Sequence, residues 1–457
     1  MSSPKGKPAV MSVAMGYGHL RAAMPLAEVL DVPLMRADEA PLSDQRERRL
    51  WRWMLAGHSL LSRPLPLPFL GSQARNLGMD WLTSIAPLYP KRDQSRPDFG
   101  TLAFDALAAL GLGRGVVQYL REQDVPLVTT FYGPALLADL AGLRRIYCVV
   151  TDSDVQRVWV AREPSESHIH YLAPSYRVVR RLRAYGVPAN HVTLTGFPLP
   201  PALLGGPKAD LARQRLAERI VRLDPEGSFR GLHGVELEQL VGPMPKRVER
   251  PLRLVFAVGG AGIQVELADE FLRSLADWVR QERLQITLVA GMRDSVAGRL
   301  RRAIEDAGLG RYAGRRVRVL HEPQFEDYYA AFNEAVGEAD VLWTKPSELS
   351  FYGALGVPLI LAPPVGIHER YNRRYLRRFG IGFKQERASQ ARGWLGEWLA
   401  DGTLAGAAWS GFSRMPKEGT WRIASLLGAE AAQVEAAGQS LRSGASPDSG
   451  TSLRLAR

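Results

Sequence analysis

WTKPSELSFYGALGVPLILAPPVGIHERYNRRY, running from Trp343 to Tyr375, decides how the rest of the chain is read. Val341-Leu342-Trp343 leads into it as one short apolar run, and Val357-Pro358-Leu359-Ile360-Leu361 is a second, each of strand length. Between them Ser347 and Glu348 stand where a helix start wants a cap and an acidic first turn. Thr344 and Lys345 follow the first strand; His368, Glu369 and Asn372 follow the second. Open α/β sheets take their ligands at the carboxyl ends of strands, so the stretch predicts a ligand-facing βαβ crossover. An ordinary crossover with polar loops is the reading these residues leave open beside it.

Upstream, Leu252 to Val258 reads as a strand, Gly259-Gly260-Ala261-Gly262 as a turn, and Leu267, Phe271, Leu275 and Trp278 as the apolar face of a helix. Strands at Gln285–Ala290 and Val317–Leu320 complete that unit. The chain opens the same way: a strand from Ala9, a turn at Gly16-Tyr17-Gly18-His19, then Ala22, Ala23, Leu26, Ala27 and Leu30 at helical spacing. A glycine turn ahead of a helix lets backbone N–H groups approach an anion, and the helix dipole adds to the attraction. Further strands are expected at Leu127–Phe131, Arg145–Thr151, Tyr171–Ala173 and Val192–Leu194. The fold class is therefore α/β, with two Rossmann-like domains facing across a cleft and C-terminal helices.

The boundaries follow from composition. Residues 1–204 form the first domain, 205–250 a helical, strand-free connector, 251–385 the second domain, 386–437 C-terminal helices and 438–457 a disordered tail rich in Ser, Gly, Ala and Arg. Residues 44–91 stand apart as an insert, where Arg46, Arg48, Arg49 and Arg52 alternate with Leu50, Trp51, Trp53 and Leu55, and Trp81 follows. Basic and aromatic side chains together suit an interfacial surface; packing of the same aromatics onto the domain is the competing reading.

The 59 basic and 47 acidic residues give a formal charge of +12, which favours anionic partners without choosing among them. No compact nucleic-acid-reading motif is present, so nucleic acid is not an expected partner. Cys148 is the single cysteine and sits inside an apolar run, so it is expected to be a buried strand residue; neither a disulfide nor a thiolate metal cluster can form within the chain. The short apolar run near the N-terminus reads as the first strand and not as a targeting segment.

Gly16-Tyr17-Gly18-His19, Thr151-Asp152, Thr195-Gly196-Phe197-Pro198, Gly259-Gly260-Ala261-Gly262 and Thr344-Lys345-Pro346 leading to Gly356-Val357-Pro358 together resemble the GT-B glycosyltransferases. The nearest branch is similar to the monogalactosyldiacylglycerol synthases and the peptidoglycan N-acetylglucosaminyltransferase. The resemblance covers roughly residues 9–35 and 125–385, and it implies an inverting, metal-independent glycosyltransferase that needs no cofactor.

Its expected donor is a nucleotide-sugar, a UDP-sugar by family, and its acceptor a lipid or glycan. The implied location is cytoplasmic, peripheral on the inner face of a membrane, with an anionic membrane surface as a further partner. The resemblance implies His19 as the base for the acceptor hydroxyl and Asp152 as its catalytic neighbour, with Gly16 and Gly18 in the acceptor-side phosphate loop. It implies Gly259, Gly260, Ala261, Gly262, Thr344, Lys345, Ser347, Glu348, Glu369 and Asn372 on the donor. One departure stands out: Phe351 occupies the place of the family's ribose-binding glutamate, which leaves Glu348, one helical turn earlier, to substitute. A noncatalytic nucleotide-sugar or lipid-binding protein and a UDP-sugar epimerase are the alternative functions.

Overall fold

In the computed structural model of the chain, residues 6–61, 85–257, 265–364 and 367–428 are described. The turn at Gly259–Gly262, residues 62–84 of the insert with Trp81 among them, and the tail expected from residue 438 lie outside them.

The first sheet has six parallel strands in the order β2-β1-β3-β4-β5-β6. They are β1 (Ala9–Ser12), β2 (Leu34–Arg36), β3 (Leu127–Thr129), β4 (Ile146–Val149), β5 (Ile169–Ala173) and β6 (Val192–Leu194). The second sheet is also parallel, in the order β12-β11-β10-β7-β8-β9. Its strands are β7 (Leu252–Ala257), β8 (Leu284–Gly291), β9 (Val317–His321), β10 (Val341–Thr344), β11 (Leu359–Leu361) and β12 (Gly382–Lys384). The expected architecture of two Rossmann-like domains with C-terminal helices is the one the chain adopts.

Each sheet starts at an inner strand. The chain order reverses between β1 and β3 in one and between β7 and β10 in the other. These switch points splay the loops on either side and open a crevice at the strand ends, the usual ligand position in such sheets. The turn before helix α1 (Tyr17–Leu30) follows β1, and Lys345 follows β10, so the sequence motifs occupy both crevices.

Burial on both faces explains the composition of the strands. Ala9 and Met11 point into one apolar layer and Val10 into another, as Ile146 and Cys148 do against Tyr147 and Val149. Ile423 and Leu427 cover that second layer against Val10, Ala23, Leu26 and Val128. They belong to a helix at 419–428 that returns from the second domain to the first sheet, anchored where Thr420 Oγ1 donates to Leu199 O at 2.6 Å. Burying each of the two side chains contributes roughly 1.5–3 kcal/mol.

Several expectations need correction. The sequence reading places no strand after Leu361, yet Gly382–Lys384 pairs with β11. The crossover helix after Ser347 is a 3-10 helix, Glu348–Leu355, and the strand after it begins at Leu359 instead of Val357. The helices of residues 205–250, Asp210–Leu223 and Ser228–Val241, belong to the second domain's core through Leu216, Ile220, Leu223 and Leu237. Arg219 fastens them: its guanidinium, without a carboxylate partner among the described residues, donates to Ala339 O at 2.7 Å, Leu355 O at 3.1 Å and Gly356 O at 3.2 Å. Gly356 has φ of 71°, and a Cβ there would meet Leu216 at 2.6 Å, so the turn before β11 requires glycine.

In the insert, the helix Gln45–Leu61 begins with a reciprocal cap, Glu47 N to Asp44 Oδ1 at 2.7 Å and Asp44 N to Glu47 Oε2 at 3.2 Å. Trp51 is 1% exposed and its indole donates to Ser43 Oγ, which removes it from any interfacial surface, whereas Trp53 is 79% exposed. Among the described residues no single helix is long and apolar enough to cross a membrane.

Candidate active site

A cavity of about 150 Å³ lies between the two switch points. Gly16, Gly18, His19 and Asp152 line it from the first domain, and Lys345, Ser347, Glu348 and His368 from the second.

His19 sits in the first turn of α1, edge-on to Phe131 with ring centroids 5.0 Å apart. Its Nδ1 lies 2.8 Å from Thr130 O and 3.2 Å from Thr151 Oγ1. A carbonyl oxygen only accepts, so Nδ1 carries the proton and Nε2 is left with a lone pair. Thr130 Oγ1 in turn donates to His19 O at 2.8 Å, fixing backbone and ring together. Burial lowers the imidazole pKa from its ordinary 6.5, against the raising influence of Asp152 and Glu348, so the ring is neutral at pH 7. The result is an oriented, uncharged base.

Asp152 follows β4 at the same rim. Its Oδ1 accepts from Asn372 Nδ2 at 3.0 Å, while Asn372 Oδ1 accepts from Ser153 N at 3.0 Å. Asn372 is fully buried, so both ends of its amide are engaged in joining the domains and neither faces a donor sugar. Glu369 is buried too, with Oε1 2.7 Å from Lys345 Nζ. Burial works against the Lys345 charge, but Glu369 more than offsets it and the pKa is raised, leaving an ammonium at the cavity wall. Thr344 is turned away: its hydroxyl donates to Ala257 O at 2.9 Å and closes the end of the β10–β7 ladder. Ser347 caps the 3-10 helix by accepting from Leu349 N.

Glu348 does reach the cavity, but towards the other domain. It forms an ion pair with Arg21 Nη1, while Arg21 Nη2 donates to Tyr328 OH. The Arg21 guanidinium lies 4.5 Å from the Phe332 ring centre and is almost wholly buried. A Cβ on Gly18 would come within 2.6 Å of Glu348 Oε2, so any larger residue there would displace the carboxylate that pairs with Arg21. Phe351 stacks on Phe197 at 4.6 Å with planes 6° apart, deep in the core, and offers nothing to a ribose.

The structure thus brings His19, Asp152, Lys345, Ser347, Glu348, Gly16 and Gly18 around one space, with Glu369 and Asn372 supporting from behind. Sequence reasoning missed Arg21, Tyr328 and the cavity role of His368. The available signal for Arg21 was a lone charge within the otherwise apolar run Leu20–Ala27.

No family model matches the sequence, and neither does any curated protein. Among solved structures, the chain is similar to MurG of Acinetobacter baumannii at 14% identity and a TM-score of 0.47, covering 93% of this chain and 100% of that one. The MnaA–UDP complex of S. aureus is 10% identical with a TM-score of 0.44, covering 91% and 95%. A glycosyltransferase of Rickettsia africae is 10% identical with a TM-score of 0.40, covering 93% and 98%. The fold assignment rests on the strand orders and not on these distant likenesses.

Proposed function

We propose that the cleft belongs to an inverting glycosyltransferase that moves a sugar from a nucleotide-sugar, a UDP-sugar by the sequence resemblance, to the hydroxyl of a lipid or glycan. The observation that carries this reading is the Nδ1 hydrogen bond of His19, which leaves a neutral Nε2 at a switch-point cavity. In the proposed reaction the acceptor hydroxyl gives its proton to Nε2 as its oxygen attacks the anomeric carbon. The bond from that carbon to the diphosphate oxygen breaks on the opposite side, which inverts the centre. Lys345 supplies positive charge for the departing diphosphate, so its raised pKa favours the role. Asp152 steadies the imidazolium formed in the transition state.

The cavity of about 150 Å³ is smaller than the roughly 300 Å³ at which small-molecule sites usually begin. We infer that the cleft widens to admit the donor, and that parting of the Arg21–Glu348 pair would make Glu348 the carboxylate available to a ribose. Trp53, near Arg49 and Arg52, is the side chain we assign to membrane contact on the insert.

A second reading, nucleotide-sugar binding without turnover, is favoured by Phe351 in the core and Glu348 held by Arg21. A donor screen by ligand-induced thermal shift tests both: a ligand at a hundred times its Kd adds about 2.7 kcal/mol to stability. Stabilisation by UDP-sugars with product formation supports transfer; stabilisation without product supports the second reading; no stabilisation by any nucleotide contradicts both.

A further inference from the structure

A second cavity, about 380 Å³, opens between the domains and shares no lining residue with the one around His19. The start of the helix Tyr176–Ala184 forms one wall, and the helices Ile367–Phe379 and Thr403–Arg414 form the others. Arg177, Arg180, Arg374, Arg378 and Arg414 line it, and no Asp or Glu is among its described lining residues.

Arg177 is paired from behind with Asp154 at 2.6 Å, a carboxylate it shares with the buried Arg181. The other four are exposed, and none pairs with a carboxylate among the described residues. Gathering such charges costs repulsion that solvent only partly screens, and an anion would relieve it. Aromatic rings hold several of them in place: Arg177 and Arg374 lie 5.0 and 5.3 Å from the Tyr371 ring centre, and Arg414 lies 5.5 Å from that of Phe379. Arg414 is turned towards Phe379 O, Ser410 Oγ and Arg378 O, whereas Arg374, held against the Tyr371 ring, presents its N–H edge beside Arg378, and guanidinium forks suit the many oxygens of a phosphate. The helix starting at Tyr176 adds its positive end. Leu194 and Phe379 give the same cavity an apolar side.

We propose that this cavity binds the phosphate or diphosphate of an organic phosphate, with the organic portion against Leu194 and Phe379. Because its walls come from both domains, occupancy ties them together. The site lies apart from the cleft and does not depend on its being catalytic.

Calorimetry with pyrophosphate as the probe tests this on the full chain. The double variant R374A/R378A, altered only at exposed positions, should lose at least tenfold in affinity for the component that Lys345→Ala retains. Arg180→Ala, on the opposite wall, should weaken the same component to a smaller extent, which protects the test should the double variant fold poorly. Sedimentation with phosphatidylcholine vesicles, with and without phosphatidylinositol phosphate, separates the sources: retention lost in R374A/R378A marks a lipid headgroup, and unchanged retention with lost pyrophosphate binding marks a soluble phosphate. Pyrophosphate affinity and vesicle retention both unchanged in R374A/R378A would overturn the proposal.

Discussion

Glu348, on the second domain, forms a buried ion pair with Arg21, on the first helix of the other domain, and Tyr328 completes the contact as a second partner of the guanidinium. Removing one member of such a pair leaves an uncompensated charge, at a cost of about 3–5 kcal/mol. Arg21→Met is therefore expected to lower stability by that amount in chemical denaturation, while R21M/E348L, which removes both charges, recovers most of it. A double variant as unstable as the single one would show that the pair is not what joins the domains here.

Proton linkage at His19 has a definite sign. Its folded pKa lies below the ordinary 6.5, so from pH 7 downwards the unfolded chain takes up the proton first and this group's contribution to stability falls through and below pH 6.5. Transfer activity, which needs the neutral ring, should persist to below pH 6.5 before its acid limb begins. Asp152→Asn deletes a charge that raises this pKa, so a pH–rate profile should show the acid limb moving to still lower pH. Movement to higher pH would contradict the electrostatic assignment.

Lys345 and Glu369 are expected to respond differently to substitution. Lys345→Met should weaken UDP binding by tenfold or more, in keeping with about 1.5–3 kcal/mol for a hydrogen bond to a charged group. Glu369→Gln removes the charge that offsets burial at Lys345, so the ammonium loses support and UDP affinity should fall, though by less than in Lys345→Met. Calorimetric titration of both variants separates a ligand-facing lysine from a purely structural pair, for which neither change would alter binding.

Arg219 gives a test of the fold itself. Replacing it with Met strands the buried carbonyl oxygens of Ala339, Leu355 and Gly356. A loss of about 3 kcal/mol or more in unfolding free energy is expected, read as a lower denaturant midpoint with little change in slope.

The parallel strands and the turn ahead of the first helix were readable because their signal is local: apolar runs buried on both faces, with a break before the helix. His19 and Lys345 each follow a strand that the apolar pattern marks, which located them near the crevices, while the roles expected of them came from the family resemblance. Strand β12 was not, because Gly382-Phe383-Lys384 is three residues long and lies between helical runs. Trp51 and Trp53 look alike in sequence, yet two positions on a helix differ by about 200° in direction, so one is core and the other solvent-facing. Asn372 and Glu348 could not be placed from local pattern, because their partners lie 220 and 327 positions away, and only the packing of one domain on the other determines that their polar groups are engaged.

The most direct test of the central claim is transfer from UDP-sugars to lipid and glycan acceptors by the wild-type chain and by His19→Ala, with thermal unfolding used to confirm that both fold. Loss of a general base predicts a fall of about 10²- to 10⁴-fold in turnover with UDP affinity retained. Turnover undiminished in His19→Ala would contradict the account.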